Sequence, residues 1–562
     1  MARWQRPVWP NDQAISPTGD TAFVGMDLKT EDPAKLLTGW YQEGYNLRLE
    51  NGGMASRKGV IAPGAYNAVS YGQIYGVGLF SDPDGLEWLV LAVANGVWFA
   101  RDGETPKFLP MATVINYPVE FSQAFNILYL WRGANQTPLR WKGDWSVYWE
   151  ELPNPSTGTP PDSTRYPVPN AVTAETFANR MLVPHDRDSV AVSDIGSDSY
   201  QWAVNDFRIN FGEADALVRV FPWVQETVLF FKQHSVFQLA NVMGDLSQVI
   251  LQKLPGQLGL CGLKAVTAVA GDILFLDTSG AYKIMQVFEG SPQASSLPIS
   301  DQIKPLINSI NWNAAAGIRA ENRRERVYFA VPLMNATRNN VLLVYNLISA
   351  SWESIDTFDD PDIRIDDLVK TNYIGERRIF GIDRLKGLVL LLEQGRTDLL
   401  GPSGDFEKQI QFGVLTRGYL GVGPRNAFPR VGFDVSTWNP SFTIDAFVDG
   451  SNAKNLVTNR TKDRTIYELF GKAAWNPVNT GDDHGSARRR DYSVGFQTSQ
   501  NGFMLGNNGI QVEREQEGTE RYAVDLDGRY CQFRIQNSAG SIGVRSVILE
   551  DYEAQREPRH HI

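Results

Sequence analysis

Apolar positions in this chain fall in short runs separated by polar turns, and the runs come in pairs. Seven such pairs stand in order. They are Trp88–Ala94 with Gly96–Ala100, Ile127–Trp131 with Leu139–Trp141, Arg180–Val183 with Ser189–Val192, and Thr227–Phe231 with Ser235–Leu239. Ile273–Leu276 with Ala281–Ile284, Arg326–Val331 with Asn340–Tyr345, and Arg378–Gly381 with Gly387–Leu392 follow. Asn95-Gly96, Asp277-Thr278-Ser279-Gly280, Asn339-Asn340 and Lys386-Gly387 supply hairpin chemistry between the runs. The first runs recur every ~40–55 residues, the length of one four-stranded propeller blade. Flanking runs such as Leu263–Ala270 and Asp366–Tyr373 offer the extra strands.

The expected fold class is therefore all-β: a β-propeller of about seven blade-like units over 66–400, followed by a β-sandwich region over 401–562. Residues 1–65 read as N-terminal strands able to complete the C-terminal platform. In the last region Phe442, Ile444, Ala446 and Val448 alternate with polar neighbours, as do Cys531, Phe533 and Ile535. One wet face and one buried face is the sandwich pattern. A pair of β-sandwiches is the rival for the middle of the chain, because it too spaces short strands regularly. One helix is expected, capped by Ser300-Asp301, with Ile303, Leu306, Ile307 and Ile310 on one face. Pro153–Pro169 reads as a surface loop or a crossing between units, Gly401–Asp405 as a shift in composition ahead of a separate β block, and Thr480–Arg490 as a long exposed loop.

Composition narrows the class. The chain has 562 residues, 50 Gly, 30 Pro and 11% aromatics, a mixture suited to many tight turns and packed pleated surfaces. Its two cysteines, Cys261 and Cys531, lie far apart in apolar surroundings and read as free thiols made in a reducing compartment. No signal peptide and no membrane-length apolar run is read. The net charge of −11 argues against a protein that grips nucleic acid.

A search for chemistry returns no catalytic, cofactor or metal residues. The five histidines, His185, His234, His484, His560 and His561, form no cluster with zinc spacing. No phosphate-cradling loop or nucleophile elbow is present. Asp359, Asp360, Asp362, Asp366 and Asp367 form an acidic run. The run reads as a solvated loop rim before it reads as a Ca²⁺ site or an acid–base pair. Ser193-Asp194-Ile195-Gly196 with Trp202 departs from a sialidase Asp-box and does not recur. Trp131, Trp141, Trp145, Tyr148 and Trp149 read as packing before they read as a sugar platform.

Several segments, in order along the chain, resemble the tail-nozzle (tail tubular) proteins of short-tailed bacteriophages. They are Gly44-Tyr45-Asn46-Leu47, Asn51-Gly52-Gly53-Met54 and Arg57-Lys58-Gly59. Next come Gly259-Leu260-Cys261-Gly262 with Gly271–Leu276 and Ser279–Tyr282, then Pro298–Ile303, and the closing pair Gln532–Asn537 and Val544–Glu550. The match is one of pattern and order over most of the chain, and the chain is shorter than the larger members. The resemblance implies a structural virion protein, made in the host cytoplasm. It would form a homo-oligomeric ring, usually a hexamer, below the portal adaptor protein, with tail fibres as further neighbours. DNA would pass through the lumen without sequence-specific binding. On this reading the acidic run faces the channel. Arg323, Arg324, Arg488, Arg489 and Arg490 would make subunit contacts, where guanidinium forks pair with carboxylates. The alternative is a receptor-binding or glycan-cleaving propeller spike that meets the host surface. No heptad or β-helix repeat of the kind that trimerises such spikes is seen. A cellular propeller scaffold is a third reading.

Overall fold

The computed structural model describes residues 19–152, 165–202, 204–210, 214–223, 227–285, 293–295, 297–358, 363–399, 407–420, 427–461, 468–469, 494–495, 505–506, 509–514 and 516–550. The chain divides into two compact units, one of residues 58–408 and one of residues 1–57 with 409–562.

The 58–408 unit is a propeller of antiparallel sheets. The first sheet runs Gly76–Ser81, Glu87–Val93, Gly96–Ala100, Lys107–Pro110. The second is Glu120–Ala124, Ile127–Trp131, Leu139–Trp141, Glu150–Glu151; the third is Glu175–Phe177, Arg180–His185, Ser189–Val192, Asp206–Arg208. The fourth and fifth are Leu217–Pro222, Val228–Lys232, Val236–Ala240, Ile250–Lys253 and Val266–Val269, Asp272–Asp277, Gly280–Met285, Gln293–Ala294. The sixth pairs Arg319–Arg323, Arg326–Val331, Val341–Asn346 and Ser351–Asp356 in turn. Each of the first six apolar pairs read from the sequence supplies the two central strands of a sheet. Those strands are buried because they have neighbours in the sheet and sheets above and below.

The expectation of about seven four-stranded blades is corrected. Six sets of four strands are found among the described residues of this unit. The unit expected at Arg378–Gly381 with Gly387–Leu392 is instead a three-stranded sheet, Asp367–Tyr373, Glu376–Asp383 and Leu388–Leu391. The cause lies at its outer edge, which the beginning of the unit occupies. Ile61 N donates to Leu391 O at 3.0 Å, and Leu391 N donates back to Ile61 O at 2.7 Å. Gly59 N adds a bond to Gly395 O at 3.0 Å. Residues 59–61 thus close the ring by covering an edge that would otherwise stand open.

Neighbouring sheets share cores around the ring. Phe80, Trp88 and Phe99 pack with Leu128 and Trp141; Tyr129 and Trp131 with Met181 and Val183; Leu182 and Val190 with Val228 and Phe230. Phe231 meets Phe275 at 5.3 Å between centroids. Tyr328, Leu342 and Val344 pack with Ile379 and Leu390, and Phe380 and Ile382 with Val77 and Leu89. Burial of this kind is worth about 25 cal/mol per Å² of apolar surface.

Turn chemistry fixes the hairpins. Phe125-Asn126, Ala178-Asn179, Ala270-Gly271 and Ile374-Gly375 each place both residues at positive φ, the two-residue turn whose twist suits paired strands. The helix is shorter than expected: a 3₁₀ turn over Asp301–Ile303 leads into Lys304–Asn308. Ser300 does not cap it. Its Oγ accepts from Ala281 N at 2.9 Å, so the hydroxyl ties the fifth sheet to the segment that follows.

The second unit, described by itself, is built on two long strands, Ala427–Val448 and Tyr530–Glu550, paired along their length. Gln516–Asp527 pairs with the first half of Ala427–Val448 and Ser451–Thr461 with its last part. Gly413–Thr416 continues from Tyr530–Glu550 to Trp40–Tyr45. The N-terminal segment is integral to this unit. Asp20 exchanges both backbone bonds with Val547 at 2.8 Å, and its buried carboxylate accepts from Arg417 Nε and from Tyr419 OH, each at 2.9 Å. The Asn51-Gly52 turn closes the hairpin Leu47–Glu50 with Gly53–Ser56, and Arg57 Nε donates to Asn46 Oδ1 at 2.9 Å beside it.

Candidate functional site: the propeller axis

The first strand of every sheet in the propeller contributes to one cavity of about 460 Å³. Val77, Phe121, Glu175, Arg219, Val266, Ala320 and Asp367 line it, one from each first strand. This is the propeller axis. The strands crowd there: a Cβ on Gly78 would stand 2.5 Å from Phe121 Cβ, so glycine is the residue that lets the first two sheets approach.

Charge, not apolar packing, fills one end of the axis. Asp367, 1% exposed, is the hub. Arg384 Nη2 lies 2.5 Å from its Oδ2, Lys264 Nζ 3.4 Å from the same oxygen, and Arg319 Nε 3.3 Å from Oδ1. Lys264 Nζ also meets Glu120 at 2.8 Å and donates to Val77 O at 3.3 Å. Burial alone would raise the pKa of Asp367. Lys264, Arg384 and Arg319 outweigh it and hold the carboxyl well below the usual range. Towards the other end, Arg219 pairs with Glu175 at 2.8 Å, and Lys370 reaches Asn322 Oδ1 at 2.9 Å.

The chemistry this arrangement offers is restricted. Asp367, Glu120 and Glu175 are each engaged by a cation, and for Asp367 this favours the ionised form and weakens it as a proton acceptor at neutral pH. Among the described residues no group of three His, Cys, Asp or Glu side chains could hold a metal ion. His185 is tied to Asp206 at 3.0 Å and to Asp186 at 3.3 Å, away from the axis. Burial, and then Asp449, push the Cys531 thiol up to about 12, which makes it a poor thiolate.

The expected site residues fall as follows. Asp367 is not on a solvated rim; it is the buried centre of the axial ion-pair network. Asp366 accepts from Arg338 Nε at 2.9 Å and from Arg384 N at 2.9 Å. Asp359, Asp360 and Asp362 lie outside the described residues, as do Arg488, Arg489 and Arg490, His484, His560 and His561, and Thr480–Arg490 as a whole. Arg323 ends the first strand of the sixth sheet, half-buried; burial and then Arg378 lower its pKa. Arg324 is exposed in the following turn and reaches Glu376 at 3.8 Å. Trp131 and Trp141 are core residues, whereas Tyr148 is 69% exposed. Sequence reasoning missed Glu120, Lys264, Arg319 and Arg384. No local signal marks them, because each matters only through partners brought together by the ring.

No protein-family model matches this chain, and no curated protein does. Solved structures do. Virginiamycin B lyase from Staphylococcus aureus is 12% identical, with 59% of this chain and 98% of that chain covered and a TM-score of 0.37. An extracellular domain from B. thetaiotaomicron, assigned to a hybrid two-component system, is 9% identical, with 72% of this chain and 50% of that one covered and a TM-score of 0.40. At such identities and TM-scores these similarities have no bearing on what this chain does.

Proposed function

We propose that the chain is a structural subunit of the tail of a short-tailed bacteriophage, one copy in a closed nozzle ring that holds and then conducts DNA, and that it is not an enzyme. The observation that carries the structural side of this reading is the axis itself. The place where a propeller enzyme would present free acid–base groups is here occupied by ion pairs that neutralise one another. Such a network stiffens a scaffold, and it holds its central carboxyl, Asp367, well below neutral pH. The tail assignment rests on the sequence resemblance. Its Asn46, Asn51-Gly52 and Arg57 segments form a hydrogen-bonded hairpin corner, and Ser279–Tyr282 with Pro298–Ile303 form one hydrogen-bonded connection. On this reading the unit of 1–57 and 409–562 is a sandwich-type platform, and the adaptor protein and fibres are its neighbours in the virion.

Negative-stain electron micrographs and analytical ultracentrifugation of the purified chain, alone and with the adaptor protein, test the proposal. A ring with a central hole is expected, most simply a hexamer. A chain that stays monomeric in an assembled tail, or reproducible polysaccharide turnover abolished by one carboxylate change, would overturn it.

A further inference from the structure

We propose that the propeller carries a binding site for a dianionic phosphate group, in a recess formed by the loops 335–338, 364 and 385–386. The recess has a volume of about 500 Å³, and Asn335, Thr337, Arg338, Arg364 and Lys386 line it. Among the described residues no carboxylate lines it.

The roots of its cations are fixed by one buried group. Asp383 is fully buried. Its Oδ2 accepts from Arg364 N at 3.0 Å. Its Oδ1 accepts from Arg338 Nη2 at 2.6 Å and from Leu385 N and Lys386 N, each at 3.1 Å. One carboxylate therefore staples all three loops of the recess. The backbone at Arg364 and Lys386 is held while both side chains stay available. Among the described residues the Arg364 guanidinium bonds only its own chain, at Ile363 O, and the Lys386 ammonium has no partner.

The local charge balance gives the ligand its class. The recess adjoins the axial network through Arg338 and Asp366. Across recess and network stand six cations: Lys264, Arg319, Arg338, Arg364, Arg384 and Lys386. Among the described residues four carboxylates answer them: Glu120, Asp366, Asp367 and Asp383. The four oppose Lys264, Arg319, Arg338 and Arg384, which leaves the surplus at Arg364 and Lys386. Two unanswered positive charges on an otherwise acidic chain match a group carrying close to two negative charges, as phosphate does near pH 7. Arg364 offers a planar fork, Lys386 a point charge, and Thr337 and Asn335 neutral hydrogen-bonding groups. A phosphodiester, with one charge per group, uses half of this.

Isothermal titration of the full chain with inorganic phosphate, with glucose 6-phosphate and with a blunt DNA duplex tests the site. Saturable phosphate binding with a dissociation constant of about 1 mM or tighter is expected, weakened at least about tenfold in the Arg364→Ala/Lys386→Ala double variant. A Lys304→Ala variant, which removes an exposed cation outside the recess, keeps wild-type affinity. Glucose 6-phosphate binding as tightly as phosphate assigns the site to phosphate monoesters; phosphate binding alone assigns it to the free ion. Both support the proposal. Absence of phosphate binding, binding that survives the double variant, or tighter binding of the duplex through the same two residues overturns it. So does binding that appears only when Asp359, Asp360 and Asp362 are changed to Asn, which would give the two cations to their own chain.

Discussion

A single carboxylate, Asp367, faces three cations with almost no water to screen them. Removing it leaves buried Arg319 and the half-buried Lys264 and Arg384 with Glu120 and Asp366 as the remaining carboxylates nearby. Uncompensated buried charge typically costs about 3–5 kcal/mol, so Asp367→Ala should lower propeller stability by that order, read by urea unfolding. The pH dependence follows in sign. The folded pKa of Asp367 is depressed, so its contribution is fully present above the unfolded carboxyl value of about 3.9 and is lost as pH falls through the folded value. Wild type should therefore lose stability on acidification below about pH 4, and the gap between wild type and Asp367→Asn should shrink there. A gap that stays constant from neutral pH down to acid would show that Asp367 is not ionised in the folded chain. In the other unit, Gly52 sits at φ +80 in the Asn51-Gly52 turn; Gly52→Ala should cost about 1 kcal/mol through backbone strain alone.

At the scale of elements, the paired apolar runs are readable because the first six pairs stand at the centres of their sheets, where burial on both faces demands continuous apolar sequence. The first strands were far less readable. Glu175–Phe177 and Arg319–Arg323 carry charge because they line the axis, and charge in a short run looks like loop. Their turns were also hidden: Phe125-Asn126 and Ala178-Asn179 adopt the positive-φ hairpin without a glycine. The acidic run was noticed, but Asp367 was read as rim. Its partners Lys264 and Arg384 lie 103 and 17 residues away, a distance that no local pattern bridges. The closing segment 59–61 left no trace because it contributes only a few backbone bonds. Those bonds add to the core that the first and last sheets of the propeller unit share. Ile61→Pro removes the donor to Leu391 O and should destabilise the propeller by about 1–3 kcal/mol. Limited proteolysis should then cut near residue 61 before any interior hairpin. An unchanged digestion pattern would show that the edge is held without this strand-like contact. Gly78→Ala tests the axial crowding in the same way: overpacking against Phe121 should cost about 1–3 kcal/mol.

For the whole molecule the question is what an acidic all-β subunit would do to DNA passing it if the chain forms the proposed nozzle ring. A tube around DNA needs a rotational axis and a head-to-tail interface that closes on itself. If such a ring is built from chains of net charge −11, the summed field in its lumen repels phosphate before any single contact is considered. Basic side chains in the lumen would do the opposite. Each phosphate they neutralise releases counterions and adds a salt-dependent attraction, which would hold the genome during ejection. Arginines such as Arg323 and Arg324 are therefore expected at contacts between copies or neighbours, not along the DNA path. The expected measurement is fluorescence anisotropy of a labelled duplex with the assembled ring. Binding should be negligible at ~0.15 M salt, and the logarithm of any residual affinity should change little with the logarithm of salt concentration. A steep negative slope, abolished by Arg323→Ala and Arg324→Ala, would place those arginines on the DNA. The acidic-conduit reading would then give way to a ring that grips its genome.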